Sequence, residues 1–251
     1  MFKEIKILAS HGRQYINNLR TQKVSNLFRG RPLISKDITA EEIKVVSELC
    51  PVKAIDCKAG SIDMGKCVFC KECYFKFPQR IIFTNDYRVA VNSREGLIIN
   101  PGVKNPVRID ETQIRSEIRK FFNGALKLRE VSAGGDNSCE MELAATSNVN
   151  FDMGRYGIEF VASPRHADGV VITGPFTENM AEALEITYKA TPSPKIIILA
   201  GTDAISGGIF EGSQVLDRRF VEKNHIDLYV PGNPVHPLTF INGVMDLVGI
   251  G

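Results

Sequence analysis

No stretch of this 251-residue chain approaches the roughly eighteen consecutive apolar residues of a transmembrane helix, so any work at a membrane is expected to be peripheral. No secretory leader opens the sequence, and five of its six cysteines crowd between positions 50 and 73 instead of spreading as a disulfide framework would. A reducing cytoplasm is the compartment this implies. There is no Gly-x-Gly-x-x-Gly phosphate fingerprint, and Gly207-Gly208 alone is a weak substitute. No nucleophile–base pair stands out, so catalysis is not expected to reside in this chain. Net charge is also low, at +2, but it is unevenly spread. Residues 1–130 carry 24 Lys+Arg against 14 Asp+Glu, whereas residues 131–251 carry 7 against 15. Such asymmetry suggests two modules with different neighbours. The basic residues are scattered and no nucleic-acid motif accompanies them, which argues against a nucleic-acid partner.

What is present is a cysteine run, Cys67-Val68-Phe69-Cys70-Lys71-Glu72-Cys73. Thiols at i, i+3 and i+6 let a looping backbone aim three sulfurs at one centre. The run resembles that of bacterial ferredoxins, in which a fourth cysteine followed by proline ligates the other of two clusters. Here that position reads Phe77-Pro78, so the proline stays and the thiol is gone. The fourth ligand for Cys67, Cys70 and Cys73 is then expected from an upstream Cys-Pro, and Cys50-Pro51-Val52-Lys53-Ala54-Ile55 supplies one. Four ligands for one [4Fe–4S] cluster are thus in hand. Zinc is the competing reading, but zinc frameworks favour paired Cys-x₂₋₄-Cys units, and the Cys-Pro-x-x-Ala-Ile context matches ferredoxin. The partner cluster's three other cysteines are absent too. In their place Asp37–Ile43 reads as a helix start, with Thr39 and Glu42 spaced as a capping box. Cys57, following Ala54-Ile55, reads as a buried structural thiol in a strand.

Taken in order, residues 1–32 form an N-terminal docking arm. Tyr15, Leu19, Val24 and Leu27-Phe28 make a loose helical face among Arg13, Arg20, Lys23 and Arg29, ended by Gly30-Arg31-Pro32. Residues 33–92 are the ferredoxin-like α+β module. Residues 93–125 are a connector with turns at Asn100-Pro101-Gly102 and Asn105-Pro106, and a helix from Asp110 to about Asn123-Gly124. Residues 126–251 alternate strand and helix. Strands are expected at 126–131, 157–162, 169–173, 195–200 and 226–230, and helices at 140–147, 177–190 and 237–248. This is an α/β domain around a parallel sheet, whose ligands sit beyond the carboxyl ends of the strands. Three loops of special composition leave those ends: Ala133–Cys139, Gly201–Gly208 and Pro231–Pro237.

Those loops carry a second resemblance. Gly135-Asp136-Asn137-Ser138-Cys139-Glu140-Met141-Glu142 resembles a Gly-x-Cys-x-x-Cys-x-x-Glu loop, Gly201–Gly208 a Gly-x-Cys-Ala-x-x-Gly-Gly loop, and Tyr229–Pro234 a Tyr-Val-Pro-Gly-Cys-Pro loop. Ser163–Asp168, followed by Val171–Pro175, is similar to a further signature of the same family. The family comprises small subunits of membrane-bound, energy-converting [NiFe] hydrogenases and formate hydrogenlyase, related to the 20 kDa iron–sulfur subunit of respiratory complex I. The resemblance implies a flavodoxin-like domain holding a proximal [4Fe–4S] cluster. Carried over, its ligands would be Asp136, Cys139, Asp203 and Asn233. One thiol, two carboxylates and an amide are too hard a set for a cubane, so this cluster is expected to be lost. Either a harder divalent cation or a metal-free polar pocket of loop hydrogen bonds would replace it. Arg165 and His166 would lie near that site and a subunit interface, or make ordinary turn contacts. The implied function is electron transfer through one remaining [4Fe–4S] cluster, or a structural coupling role with the cluster as a staple. The implied partners are a hydrogenase-like large subunit, membrane-arm subunits and a soluble or neighbouring ferredoxin-type protein. The implied place is peripheral, on the cytoplasmic membrane.

Overall fold

The structure is a computed structural model describing residues 2–12, 14–122 and 124–250; Arg13 and Asn123, named above, lie outside the described residues. The second half folds as expected into an α/β layer structure. Strands β5 (Leu126–Ser132), β6 (Ile158–Phe160), β7 (Gly169–Thr173), β8 (Ile196–Ala200) and β9 (Leu228–Val230) form one parallel sheet in the order β6-β5-β7-β8-β9. That is the flavodoxin-like order, with its switch point between β5 and β7. Every residue of β7 and β8 is buried, which is why both read as unbroken apolar runs instead of alternating ones. Three of the crossovers are helical, through α5 (Ser138–Ala145), α6 (Glu178–Ala190), and the short α7 (Thr202–Ser206) and α8 (Arg219–Lys223), while β6 reaches β7 through a 3₁₀ turn at Pro164–His166. The last helix, α9 (Pro237–Val248), begins with Pro in its first turn, where no amide partner is lost, and is buried along almost its whole length.

The first half is built from short pieces. β1 (Pro32–Ile34) pairs antiparallel with β3 (Ile81–Phe83), and β2 (Ile62–Asp63) with β4 (Ile98–Ile99). Between them lie α2 (Ala40–Leu49) and α3 (Glu72–Lys76). The capping box of α2 forms in full: Glu42 N–H donates to Thr39 Oγ1 at 3.2 Å and Thr39 N–H to Glu42 Oε2 at 2.8 Å. Two local expectations fail. Cys57 is exposed, because Asp56 Oδ1 accepts from the amides of Lys58 and Ala59 and turns the chain back on itself, leaving Cys57 on the turn. The helix expected along Tyr15–Phe28 does not form. The N-terminal helix is α1 (Phe2–His11), which buries none of its residues. Downstream of it, Leu19 is fully buried and its carbonyl accepts from both Tyr87 Oη and Asn242 Nδ2, an anchoring that replaces helical bonding. The connector helix is likewise shorter, α4 (Ser116–Phe121), preceded by a 3₁₀ turn at Glu111–Gln113.

The two halves share their interior. One apolar core joins Val46, Met64, Leu97 and other first-half side chains to Val131, Ile172 and Leu199 of the sheet. Val91 and Tyr229 exchange amide bonds at 3.0 and 2.7 Å, adding a bridge to the sheet edge at β9. The connector is tied in through Arg115, whose guanidinium holds buried Asp227 at 2.7 and 2.9 Å and the Lys195 carbonyl at 2.7 Å. The consequence for the site is that the cysteine module lies against the carboxyl-edge loops of the sheet.

Candidate metal centre

Cys50 ends α2 at its C-cap, so the helix axis fixes where its sulfur starts. Cys67, Cys70 and Cys73 follow β2 on a loop that runs into α3. Asp63 organises that loop. Its side chain accepts from the Gly65 amide at 2.8 Å, its carbonyl accepts from Lys66 and Cys67, and Arg94 grips both carboxylate oxygens at 2.8 and 2.5 Å. Phe69 and Lys71 have φ of 53° and 69°, in the left-handed region disfavoured for residues with a Cβ. These reversals between the cysteines let sulfurs three residues apart face one side.

All four thiols border one hollow, about 350 Å³ with its open mouth included, whose other walls are largely apolar: Val52, Ala54, Ile55, Ile62 and Phe83 among them. Amides point at the sulfurs, Ala54 N–H to Cys50 Sγ and Phe69 N–H to Cys67 Sγ, each at 3.3 Å. Burial pushes the Cys67 thiol far up and the Cys73 thiol up to about 11, and the neighbouring cysteines add to both shifts. Cys67 and Cys73 thus resist ionisation without a cation to compensate, and a bound metal supplies that compensation. Among the described residues, no three His, Cys, Asp or Glu side chains converge on a single metal ion, the four cysteines included. The donor set, the apolar walls and the N–H···S bonds fit an iron–sulfur cluster.

The loops at the sheet's carboxyl edge make a second, different constellation. Asp136 is exposed and caps its own turn, accepting from Ser138 N–H at 2.9 Å and Ser138 Oγ at 2.6 Å. Cys139, in the first turn of α5, has its thiol pushed up to about 12, chiefly by burial, although the Val235 amide donates to it. Its sulfur occupies the space a Cβ on Gly201 would need, 2.5 Å away. Asp203 Oδ1 is buried without a hydrogen-bond partner, and its carboxyl is raised by burial and then by the charges of Asp136 and Glu140. Gly208 leaves the room for that oxygen, since a Cβ there would sit 1.8 Å from it. Asn233 is exposed and lines a neighbouring hollow with Pro231, His236 and Phe69. Asp136, Cys139 and Asp203 are therefore within electrostatic reach of one another, while Asn233 faces the cysteine module.

Several residues at these sites carried no sequence signal. Thr202 Oγ1 donates to the Cys67 carbonyl at 3.0 Å, and Arg29 Nη1 to the Phe69 carbonyl at 2.9 Å. Glu130, on β5, has its carboxyl pushed up to about 7 by burial and by Glu140, against a smaller pull from Arg129. Glu140 accepts from buried Thr173 Oγ1 at 2.7 Å. Thr202, Glu140 and Thr173 sit inside the quoted loops and signatures, but at positions whose role those signatures do not give; Arg29 and Glu130 lie outside them. Arg165 and His166 are exposed in a 3₁₀ turn at the amino end of β7, the opposite end of that strand from the Asp136 loop.

These features have counterparts in known proteins. Residues 137–247 match the family described as NADH ubiquinone oxidoreductase, 20 Kd subunit. A probable membrane-bound hydrogenase subunit of Pyrococcus furiosus is 32% identical over 130 residues, covering 52% of this chain and 78% of that protein. Formate hydrogenlyase subunit 7 of Escherichia coli is 32% identical over 151 residues, 59% of either chain. An NADH-quinone oxidoreductase subunit of Geotalea daltonii is 38% identical over 109 residues, 43% of this chain and 64% of that one. The parallel sheet, its carboxyl-edge loops and these relatives together make this chain a member of the 20 kDa subunit family of NADH ubiquinone oxidoreductase, which reaches into membrane-bound hydrogenases and formate hydrogenlyase.

Proposed function

We propose that this chain is an electron-transferring iron–sulfur subunit of a membrane-associated, hydrogenase-related or complex-I-like oxidoreductase assembly. It holds one [4Fe–4S] cluster on Cys50, Cys67, Cys70 and Cys73, and has lost the cluster its relatives' loops would carry. The observation behind this reading is that the four cysteines border a single, largely apolar hollow with amides donating to two of the sulfurs. When bound, such a cluster passes single electrons. The loss at Asp136, Cys139, Asp203 and Asn233 is supported by Asp136 being satisfied within its own turn and by the hardness of the donor set. The partners in this reading are a hydrogenase-like large subunit and membrane-arm subunits, with a ferredoxin-type protein as electron source or sink. Among the described residues no helix is long and apolar enough to cross a membrane, so the association is peripheral in this reading. The organisation into an arm, a cysteine module, a connector and an α/β domain belongs to the same proposal.

Iron and acid-labile sulfide per chain test it directly. About four of each is expected; about eight would overturn the loss of the second cluster, and none would overturn the first. A second reading, a coupling subunit whose cluster is a staple, is favoured by the Thr202–Cys67 bond that fastens the cysteine loop to the sheet. Electron paramagnetic resonance during a redox titration separates the two. A cluster that cannot be reduced in the biological range would leave the staple standing. In Cys70→Ser, lost turnover with intact assembly supports transfer, and lost assembly supports the staple.

A further inference from the structure

We infer that Arg29 and Thr202, both outside the cysteine module, are positioning residues that clamp the cluster loop, and that the Arg29 charge holds the cluster's reduction potential up. This rests on the cluster reading above and concerns how that site is tuned. The loop carrying Cys67, Cys70 and Cys73 contains two left-handed residues, Phe69 and Lys71. Such conformations are costly for residues with a Cβ and persist only where the surroundings over-determine them. Here the surroundings are specific. Thr202, the first residue of α7, donates from Oγ1 to the Cys67 carbonyl at 3.0 Å and also reaches the Gly232 carbonyl at 3.1 Å. Arg29 Nη1 donates to the Phe69 carbonyl at 2.9 Å, with the Cys70 carbonyl 3.5 Å from the same nitrogen. Three successive anchor points of the loop, at residues 67, 69 and 70, are thus held by groups from two distant parts of the chain. With the carbonyls held, the Phe69 amide stays turned toward Cys67 Sγ at 3.3 Å. Phe69 itself is buried and meets Phe83 edge to face at 6.1 Å, which completes the lock.

The two clamps differ in charge. Thr202 is neutral and fixes geometry. Arg29, an exposed side chain, brings a guanidinium to the backbone between two cluster ligands, where it donates to carbonyls. Reduction adds a negative charge to a cluster, so a nearby cation favours the reduced state and raises the potential; hydrogen bonds and local charge are the protein's levers on it.

The experiment uses the full chain with its cluster, in wild-type, Arg29→Lys, Arg29→Gln and Thr202→Val forms. Iron, sulfide, midpoint potential and the rate of cluster loss to a chelator are measured on each. Arg29→Gln is expected at a more negative potential than wild type, with Arg29→Lys close to wild type because the charge is kept. Thr202→Val is expected to keep the wild-type potential more nearly than Arg29→Gln and to lose its cluster several-fold faster. A loaded Arg29→Gln at the wild-type potential overturns the charge assignment, as does an Arg29→Lys that falls well below wild type; the second result decides even where Arg29→Gln takes up no iron. An unchanged loss rate in Thr202→Val overturns the clamp. A wild-type chain without iron and sulfide overturns the cluster reading and this inference together, whereas the other outcomes leave the cluster reading intact.

Discussion

At the scale of single residues, the thiols fall into three settings: Cys67 and Cys73 buried, Cys50, Cys70 and Cys139 half-buried, and Cys57 exposed. Cys50, Cys67, Cys70 and Cys73 could be chosen from the sequence because ligand spacing is a local property, and the structure gathers all four on one hollow. Cys57 could not be assigned correctly, since its exposure depends on Asp56 capping a turn through two amides. Glu130 was invisible for the same reason: only burial and the approach of Glu140 raise its carboxyl from the ordinary 4.5 to about 7. A carboxyl whose folded pKa is raised binds its proton more tightly when folded. Its contribution is fully present below about pH 4.5 and is lost as pH climbs through 7. Glu130→Gln is therefore expected to match wild type in thermal stability near pH 4 and to exceed it at pH 8. With solvent screening discounted, the gain should be on the order of 1 to 2 kcal/mol. Melting curves across that pH range check it, and a gain of equal size at pH 4 would remove Glu130 ionisation as the cause.

At the scale of elements, legibility followed the strength of local rules. The capping box of α2, the fully buried β7 and the Pro-initiated α9 each match their sequence reading closely, because cap chemistry, burial on both faces and proline geometry act within a few residues. The basic segment around Leu19 misled, as its apolar positions mimic a helix while its backbone is bonded to side chains more than sixty residues away. The α2 cap matters beyond its own helix, since α2 ends at Cys50. Thr39→Ala is expected to cost about 1 kcal/mol in chemical denaturation. It should also speed iron loss to a chelator, because fraying α2 loosens one of the four proposed ligands. Arg94→Ala should act on the other side of the centre, freeing Asp63 and the loop it organises. Faster cluster loss at unchanged secondary structure, read by circular dichroism, is the expected signature.

At the scale of the whole molecule, composition hints at two modules, yet each of the two apolar cores draws on both halves of the chain. Side chains such as Val46 and Leu97 share a core with Ile172 and Leu199. Charge asymmetry cannot reveal this, because surface charge reports on neighbours and not on what is packed beneath. Cooperative unfolding is expected to follow the core, so heat or denaturant should give one transition rather than two. Asp227 is a sensitive point in that unit. It is nearly inaccessible, accepts two bonds from Arg115 and one from the Ile197 amide, and joins the connector to β8 and β9. Asp227→Asn leaves a guanidinium short of its partner and is expected to cost roughly 3 kcal/mol or more. The denaturant slope should stay unchanged if the chain still unfolds as one body.

The exposed turn that carries Cys57 offers a use in counting occupancy. With the cluster in place, Cys50, Cys67, Cys70 and Cys73 are engaged, and Cys139, half-buried, is held back by a thiol pKa pushed up to about 12. A soluble alkylating reagent should then find one fast thiol per chain. Stripping the iron should release the partly accessible Cys50 and Cys70 first, and the buried Cys67 and Cys73 more slowly. Mass spectrometry of the alkylated protein would thus read the filled fraction of a preparation without any measurement of iron.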